Sequence, residues 1–195
     1  MTEVMARLLQ VAAPQRGLFT LAQAAEVGVG DVYVRKMAAR GVLERRAQGV
    51  YRIPAIPIDE YTELMEAVLW ANGRGVIVGE TALALWDLAD VNPRKIHLAV
   101  PPSYRPRRQG GRLYQVHQAR LGAEDRDETH GIPTVTPAVA ICQSIANGVA
   151  GDMIEQAIHR AQAREHIGNE TAARLRVALY ERSVARHGRP GGGDD

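Results

Sequence analysis

The pattern of apolar and polar positions between Thr20 and Ile53 predicts a helix, a tight turn, a second helix and a β-hairpin. Thr20 is followed three residues later by Gln23, and this capping box predicts the start of the first helix. Gly28 can adopt the left-handed conformation that ends a helix. Leu18 and Phe19, just before Thr20, are expected to form either a short strand or a hydrophobic staple.

The second helix is predicted to begin near Gly30 or Asp31 and to end at Gly41. Val42–Arg46 and Val50–Ile53 then read as two strands that pair across a short turn containing glycine. A helix, a turn, a helix and a hairpin wing together predict a winged helix-turn-helix.

The second predicted helix has two different faces. At about 3.6 residues per turn, Val34, Met37 and Ala38 share an apolar face, and Val32, Lys36 and Ala39 lie opposite. Small and basic residues on an outward face suit close approach to the major groove of DNA. The residues predicted to contact DNA are Tyr33, Arg35, Lys36, Arg40, Arg45, Arg46 and Gln48. The alternative is a winged helix used only for packing, with these basic residues as a solvated face.

The rest of the chain predicts a second, mixed domain. Strands are expected at residues 76–78, 95–100, 113–117 and 132–135, and helices at 59–71, 81–88, 137–147, 152–166 and 169–186. The predicted organisation is a winged helix at 1–53, a proline-containing linker at 54–58, a C-terminal domain at 59–187 and a disordered Gly-rich tail at 188–195. The predicted fold class is therefore α+β, with an N-terminal winged helix-turn-helix followed by a mixed α/β domain that ends in a helical bundle.

Composition and charge restrict the choice of function. Residues 1–53 hold eight Lys/Arg and four Asp/Glu, a net charge of +4, and the remainder carries −2. This distribution favours a DNA-binding N-terminal segment on a near-neutral body.

The single cysteine, Cys142, lies in an apolar run and is expected to be a buried, inert thiol. With no signal peptide and no apolar run long enough to span a bilayer, a cytoplasmic protein is expected.

The body contains no motif that is specific for catalysis. Phosphate loops, dinucleotide fingerprints and zinc or serine hydrolase signatures are all missing from the sequence, so catalytic residues stay unassigned and neither a cofactor nor a metal is expected. His159 and His166 are expected on one helix, and His97 and His117 on strands that could pair. In both cases ordinary structural histidines are favoured over metal ligands. The run Glu124–Glu128 is expected to be a charged, solvent-facing turn rather than a Mg²⁺ site.

A loop between two predicted strands is rich in arginine. Its residues could accept a phosphate group or an acidic partner surface, and the alternative is a loop of solvated charges. The residues concerned are Arg105, Arg107, Arg108 and Arg112.

Several motifs in this order resemble the AbiEi antitoxins of type IV toxin–antitoxin systems. In the winged helix they are Gly28-Val29, Ala39–Arg45 and Gly49–Arg52. In the body they are Gly79–Trp86, Asn92-Pro93, Ile96–Pro101 and Gly131–Pro137. The chain departs from the family pattern at Gly30, where Ser or Thr is more usual, and Asp31 is expected to cap the helix instead.

The resemblance implies a protein with two functions. The winged helix would bind operator DNA and repress its own operon, with a weak homodimer on DNA as one arrangement. The C-terminal domain would neutralise a co-encoded toxin similar to nucleotidyltransferases. Neutralisation could proceed by direct binding or by competition for the toxin's target. Covalent modification of the toxin, for example by phosphorylation, is the secondary hypothesis. A plain winged-helix regulator with a dimerising or ligand-sensing C-terminal domain is the other alternative.

Overall fold

The computed structural model describes residues 2–104 and 111–187. The helices are α1 Thr2–Ala12, α2 Leu21–Glu26, α3 Asp31–Ala39, α4 Thr62–Trp70, α5 Gly79–Leu85, α6 Pro137–Ala146, α7 Gly151–Ala163 and α8 Asn169–His187. The strands are β1 Leu18–Thr20, β2 Glu44–Ala47, β3 Val50–Arg52, β4 Val76–Ile77, β5 Ile96–Val100, β6 Tyr114–Gln118, β7 Arg126–Thr129 and β8 Ile132–Val135. The fold is α+β, with a winged helix-turn-helix first and helices last, as the sequence predicted.

The winged helix is built from α1 to α3 and a three-stranded sheet. The strand order is β1-β3-β2, and both pairings are antiparallel. Thr20 caps α2 through the predicted capping box, in which its hydroxyl accepts from the Gln23 backbone and the Gln23 side chain accepts from the Thr20 backbone. Leu18 and Phe19 form strand β1. Phe19, together with residues such as Leu8 and Val34, lies in the core that the helices cover.

A second sheet has five strands in the order β6-β5-β4-β8-β7. Strand β4 lies at its centre and pairs antiparallel with β5 and parallel with β8. Helix α4 contacts this sheet through β4 and β5, and it also contacts all three strands of the winged helix. Most of α4 is buried, including Met65, Leu69 and Trp70. Helix α4 therefore packs on both sheets of this part of the chain.

A polar cluster around Arg16 also ties the winged helix to the second sheet. Arg16, which follows α1 in a left-handed conformation, donates from Nε to both carboxylate oxygens of Asp59 at 2.9 and 3.0 Å. Its Nη2 donates to the His130 carbonyl at 2.6 Å. The Tyr61 ring stacks on His130 at 4.3 Å and lies under the Arg16 guanidinium at 5.2 Å. These contacts hold the segment after α1, the segment before α4 and the β7–β8 turn together.

The chain divides into two compact units. The first comprises Met1–Ile77 and Lys95–Thr134, and thus both sheets together with α1 to α4. The second comprises Val78–Arg94 and Val135–Asp195, and its helices α5 to α8 pack on one another. Within the second unit, Arg164 pairs with Asp87, and Arg160 pairs with both Asp87 and Asp90.

The structure corrects three details of the sequence-based prediction. The charged run Glu124–Glu128 is not wholly a turn, because strand β7 begins at Arg126. Helix α7 ends at Ala163 and does not extend to 166, so His159 and His166 do not share a helix. Cys142 is exposed rather than buried, because α6 directs its neighbour Ile141 inward. The predicted disordered tail at 188–195 lies outside the described residues.

Candidate DNA-binding surface

Helix α3 buries one face and exposes the other. Val34 and Met37 are buried in the core of the winged helix, as their spacing predicted. The predicted DNA-contacting residues Tyr33, Arg35 and Lys36 of this helix are exposed, and so is Arg40, the C-cap residue that follows it. The helix therefore presents a continuous outward surface with three basic side chains.

The start of α3 differs from the expected capping. Gly30 occupies the N-cap position, and no side chain caps the helix there. Asp31 is the first residue within the helix, and its carboxylate lies 3.6 Å from Arg35 Nη2 instead of capping the backbone. The negative charge of Asp31 still favours the positive end of the helix dipole. The expectation that Asp31 replaces the missing cap was therefore wrong.

The wing, which is the β2–β3 hairpin, forms a cleft with α3. The cleft has a volume of about 730 Å³. It is lined by Leu21, Arg35, Ala38, Ala39, Arg45, Gln48, Gly49 and Tyr51. Three of the predicted contact residues, Arg35, Arg45 and Gln48, thus meet on one concave surface. Lys36, Arg40 and Tyr33 are not among the lining residues.

Arg46 has a different role from its neighbour Arg45. Its Nε donates to Glu66 Oε2 on α4 at 2.9 Å, and this hydrogen bond raises the pKa of Arg46. The Arg46 side chain is 33% exposed and that of Glu66 only 11%. Strand β2 has a bulge between Arg45 and Ala47, so the contacts, and not a regular alternation of side chains, distinguish these two residues. Arg45 lines the cleft, whereas Arg46, although partly exposed, contacts Glu66 of α4.

The other candidate residues are not gathered into one site. Arg105, Arg107 and Arg108 lie outside the described residues, and Arg112 is exposed in the short 3-10 turn before β6. Among the described residues, no three His, Cys, Asp or Glu side chains are grouped closely enough to hold a metal ion.

The two strand histidines do come together. His117 Nε2 lies 3.3 Å from His97 Nδ1 across the parallel pair β5–β6. Burial, and then the charge of His97, lower the pKa of His117. His166, by contrast, packs edge-on against the Trp86 ring at 5.1 Å, and His159 is exposed on α7.

The set of predicted contact residues omitted Val32. This side chain is 66% exposed at the second position of α3, on the same face as Lys36. The signal in the sequence was its position opposite Val34 and Met37 on the helical wheel.

The fold of the N-terminal segment, three helices with a three-stranded sheet and its hairpin, is that of a winged helix-turn-helix. Residues 6–54 match the family model described as "Transcriptional regulator, AbiEi antitoxin". The match covers the winged-helix segment only, and there it agrees with the AbiEi resemblance that the sequence motifs indicated.

A solved structure shares the fold of nearly the whole chain. It is "Crystal structure of RV2827C protein from Mycobacterium tuberculosis", with a TM-score of 0.52 and 17% sequence identity. The similarity covers 94% of this chain and 75% of the other, and at this identity it shows a shared fold only. A comparison with curated protein sequences finds no match. Among the described residues, none of the helices combines the length and the apolar character needed to cross a bilayer.

Proposed function

We propose that the protein is an antitoxin with two functions: it binds operator DNA through the winged helix to repress its own operon, and it neutralises a co-encoded nucleotidyltransferase-like toxin. The observation that carries the DNA-binding half is the exposed basic face of α3 beside the cleft that contains Arg35, Arg45 and Gln48. In this proposal α3 is the recognition helix, and it enters the major groove. A protein that represses its operon acts in the cytoplasm.

The geometry of the winged helix supports this assignment. Lys36 is exposed on α3 and Arg40 is exposed at its C-cap, while Arg45 and Gln48 lie on the wing. A helix in the major groove with a basic wing beside it can contact bases and the neighbouring phosphate backbone together. The proposed neutralisation of a toxin is supported by the family that residues 6–54 match, because that family is described as an antitoxin family.

Replacing Lys36 and Arg40 with alanine tests the DNA-binding half. Fluorescence anisotropy of the full chain on duplex DNA from upstream of its operon should show weaker binding. The slope of log K against log salt should fall by about 0.9 for each phosphate that the variant no longer neutralises. Both residues are exposed, so the thermal melting temperature should stay unchanged. Normal binding by the double variant would show that α3 is not the recognition helix.

A matched control and a growth assay complete the test. Arg120, which is exposed in the first unit and does not line the cleft, should be replaceable by alanine without an effect on DNA binding. Co-expression of the full chain with the neighbouring toxin gene should restore growth, and the Lys36/Arg40 variant should restore it equally well. Absence of rescue by the native chain would favour a plain winged-helix regulator instead.

A further inference from the structure

Helix α8 has an apolar stripe that faces solvent. Val177, Tyr180 and Val184 are 57%, 69% and 52% exposed, and Ala173 is exposed on the same line. The opposite face of α8 buries Ala172 and Leu175. Single exposed apolar residues are common on protein surfaces, but large apolar side chains aligned in one stripe indicate an interaction surface.

The spacing of this stripe is that of a coiled-coil seam. Steps of four, three and four residues separate Ala173, Val177, Tyr180 and Val184, so they occupy alternating d and a positions of two heptads. The two valines fall at a positions, where β-branched side chains suit two-stranded packing. Tyr180 also lines a groove of about 390 Å³ between α7 and α8, which leaves space beside the seam for a side chain of a partner helix.

The charged residues beside the seam identify the partner as a second copy of this chain. Arg174 and Glu181 both occupy e positions and are both exposed. Arg174 donates to the Thr171 hydroxyl of its own helix at 3.3 Å, whereas Arg176 forms an ion pair with Glu155 of α7 at 3.2 Å. In an antiparallel pair of helices, e positions face e positions across the seam. A two-fold axis between two copies therefore places each Arg174 opposite the other copy's Glu181.

The apolar layers fit the same arrangement. When Val177 of one copy meets Tyr180 of the other, the same register places Val184 opposite Ala173, a large residue against a small one. The two-fold axis makes each of these contacts occur twice, as an isologous interface requires. We propose that α8 is the homodimer interface of the protein, with two copies packed antiparallel along Ala173, Val177, Tyr180 and Val184.

The size of the seam sets the strength of the dimer. Two heptads from each copy bury less surface than the roughly 1,200–2,000 Å² of a stable interface, so the dimer is weak and depends on concentration. In combination with the proposed DNA binding, such a dimer would read two half-sites related by a two-fold axis. That consequence rests on the proposed function, but the dimer itself does not.

Sedimentation velocity of the full chain over a range of concentrations tests the interface without DNA. The native chain should shift from monomer to dimer as concentration rises. Glu181→Arg and Arg174→Glu should each weaken the dimer on the order of tenfold, because each change creates two like-charge contacts. The double variant Arg174→Glu/Glu181→Arg should restore the native association, since it exchanges the charges and keeps the pairs.

Two further variants make the result decisive. Tyr180→Glu should abolish the dimer, and Glu128→Arg, an exposed charge reversal on β7, should leave it unchanged. Circular dichroism should show a native fold for each variant, because all the altered side chains are exposed. The proposal would be overturned if the native chain stayed monomeric at every concentration. It would also be overturned if the Tyr180→Glu variant still formed the dimer. Failure of the double variant to recover would overturn the antiparallel register. DNA binding by the native chain is measured separately, so a failed dimer does not count against the proposed function.

Discussion

Arg45 and Arg46 are adjacent in sequence, yet the structure predicts opposite consequences for their removal. Arg45 lines the cleft between α3 and the wing, and Arg46 is paired with the buried carboxylate of Glu66. Substitution by methionine keeps the length of each side chain and removes its charge. Arg45→Met should therefore affect DNA binding, and Arg46→Met should affect stability.

The size of the stability effect follows from the exposure of the pair. Exposed ion pairs contribute about 0.2–1 kcal/mol, and removing one partner of a fully buried pair costs about 3–5 kcal/mol. With Arg46 33% and Glu66 11% exposed, an intermediate loss of about 1–2 kcal/mol is expected for Arg46→Met. In a chain of this size, this corresponds to a fall in melting temperature of about 3–6 °C.

Two assays on the same two variants separate the roles. Differential scanning calorimetry should show the lower melting temperature for Arg46→Met and a change of less than about 0.5 kcal/mol for Arg45→Met. Salt titrations on operator DNA should show the reverse, with the slope reduced by about 0.9 for Arg45→Met only. The double variant Arg46→Met/Glu66→Gln should recover part of the stability, since no unpaired charge remains beside α4. An equal reduction of the salt slope in both variants would refute the division of roles.

Two more predictions concern the first unit. A chain lacking residues 1–53 should lose the thermal transition of the first unit in circular dichroism, because α4 would lose the three strands that cover it. A transition of the native amplitude per residue would instead show that the rest of the first unit folds without the winged helix. The pKa of His117 in the folded chain lies below its ordinary value of 6.5. Between these two pH values the unfolded chain binds more protons than the folded chain. The free energy of unfolding should therefore fall as the pH drops through this range. Urea titrations at pH 7.5 and 5.5 should show a smaller pH effect for His117→Gln, and an unchanged effect would assign it to other groups.

Local rules were sufficient where neighbouring residues decide the conformation. The capping box of Thr20 and Gln23, the buried face of α3 and the exposed basic residues on its other face all follow from spacing along the chain. The central strands and the C-terminal helices were also found from periodicity, although α7 is shorter than its pattern suggested.

Other features depended on contacts between distant residues and could not be read from local patterns. Strand β7 lies in a highly charged run, and its pairing at the edge of the sheet, not its side chains, makes it a strand. Cys142 lies in an apolar run, but which residues of α6 face the core depends on how the helix packs.

Helix caps, glycine turns and hydrophobic periodicity act over only a few residues, so the winged helix and its basic outward face could be predicted from the chain. Which basic residues stay available to a ligand depends on how distant segments pack. An arginine at the wing is free or paired according to whether a carboxylate from a distant helix reaches it, and Glu66 reaches Arg46 but leaves Arg45 on the cleft. That choice depends on how α4 packs against the small sheet, which no stretch of neighbouring residues encodes.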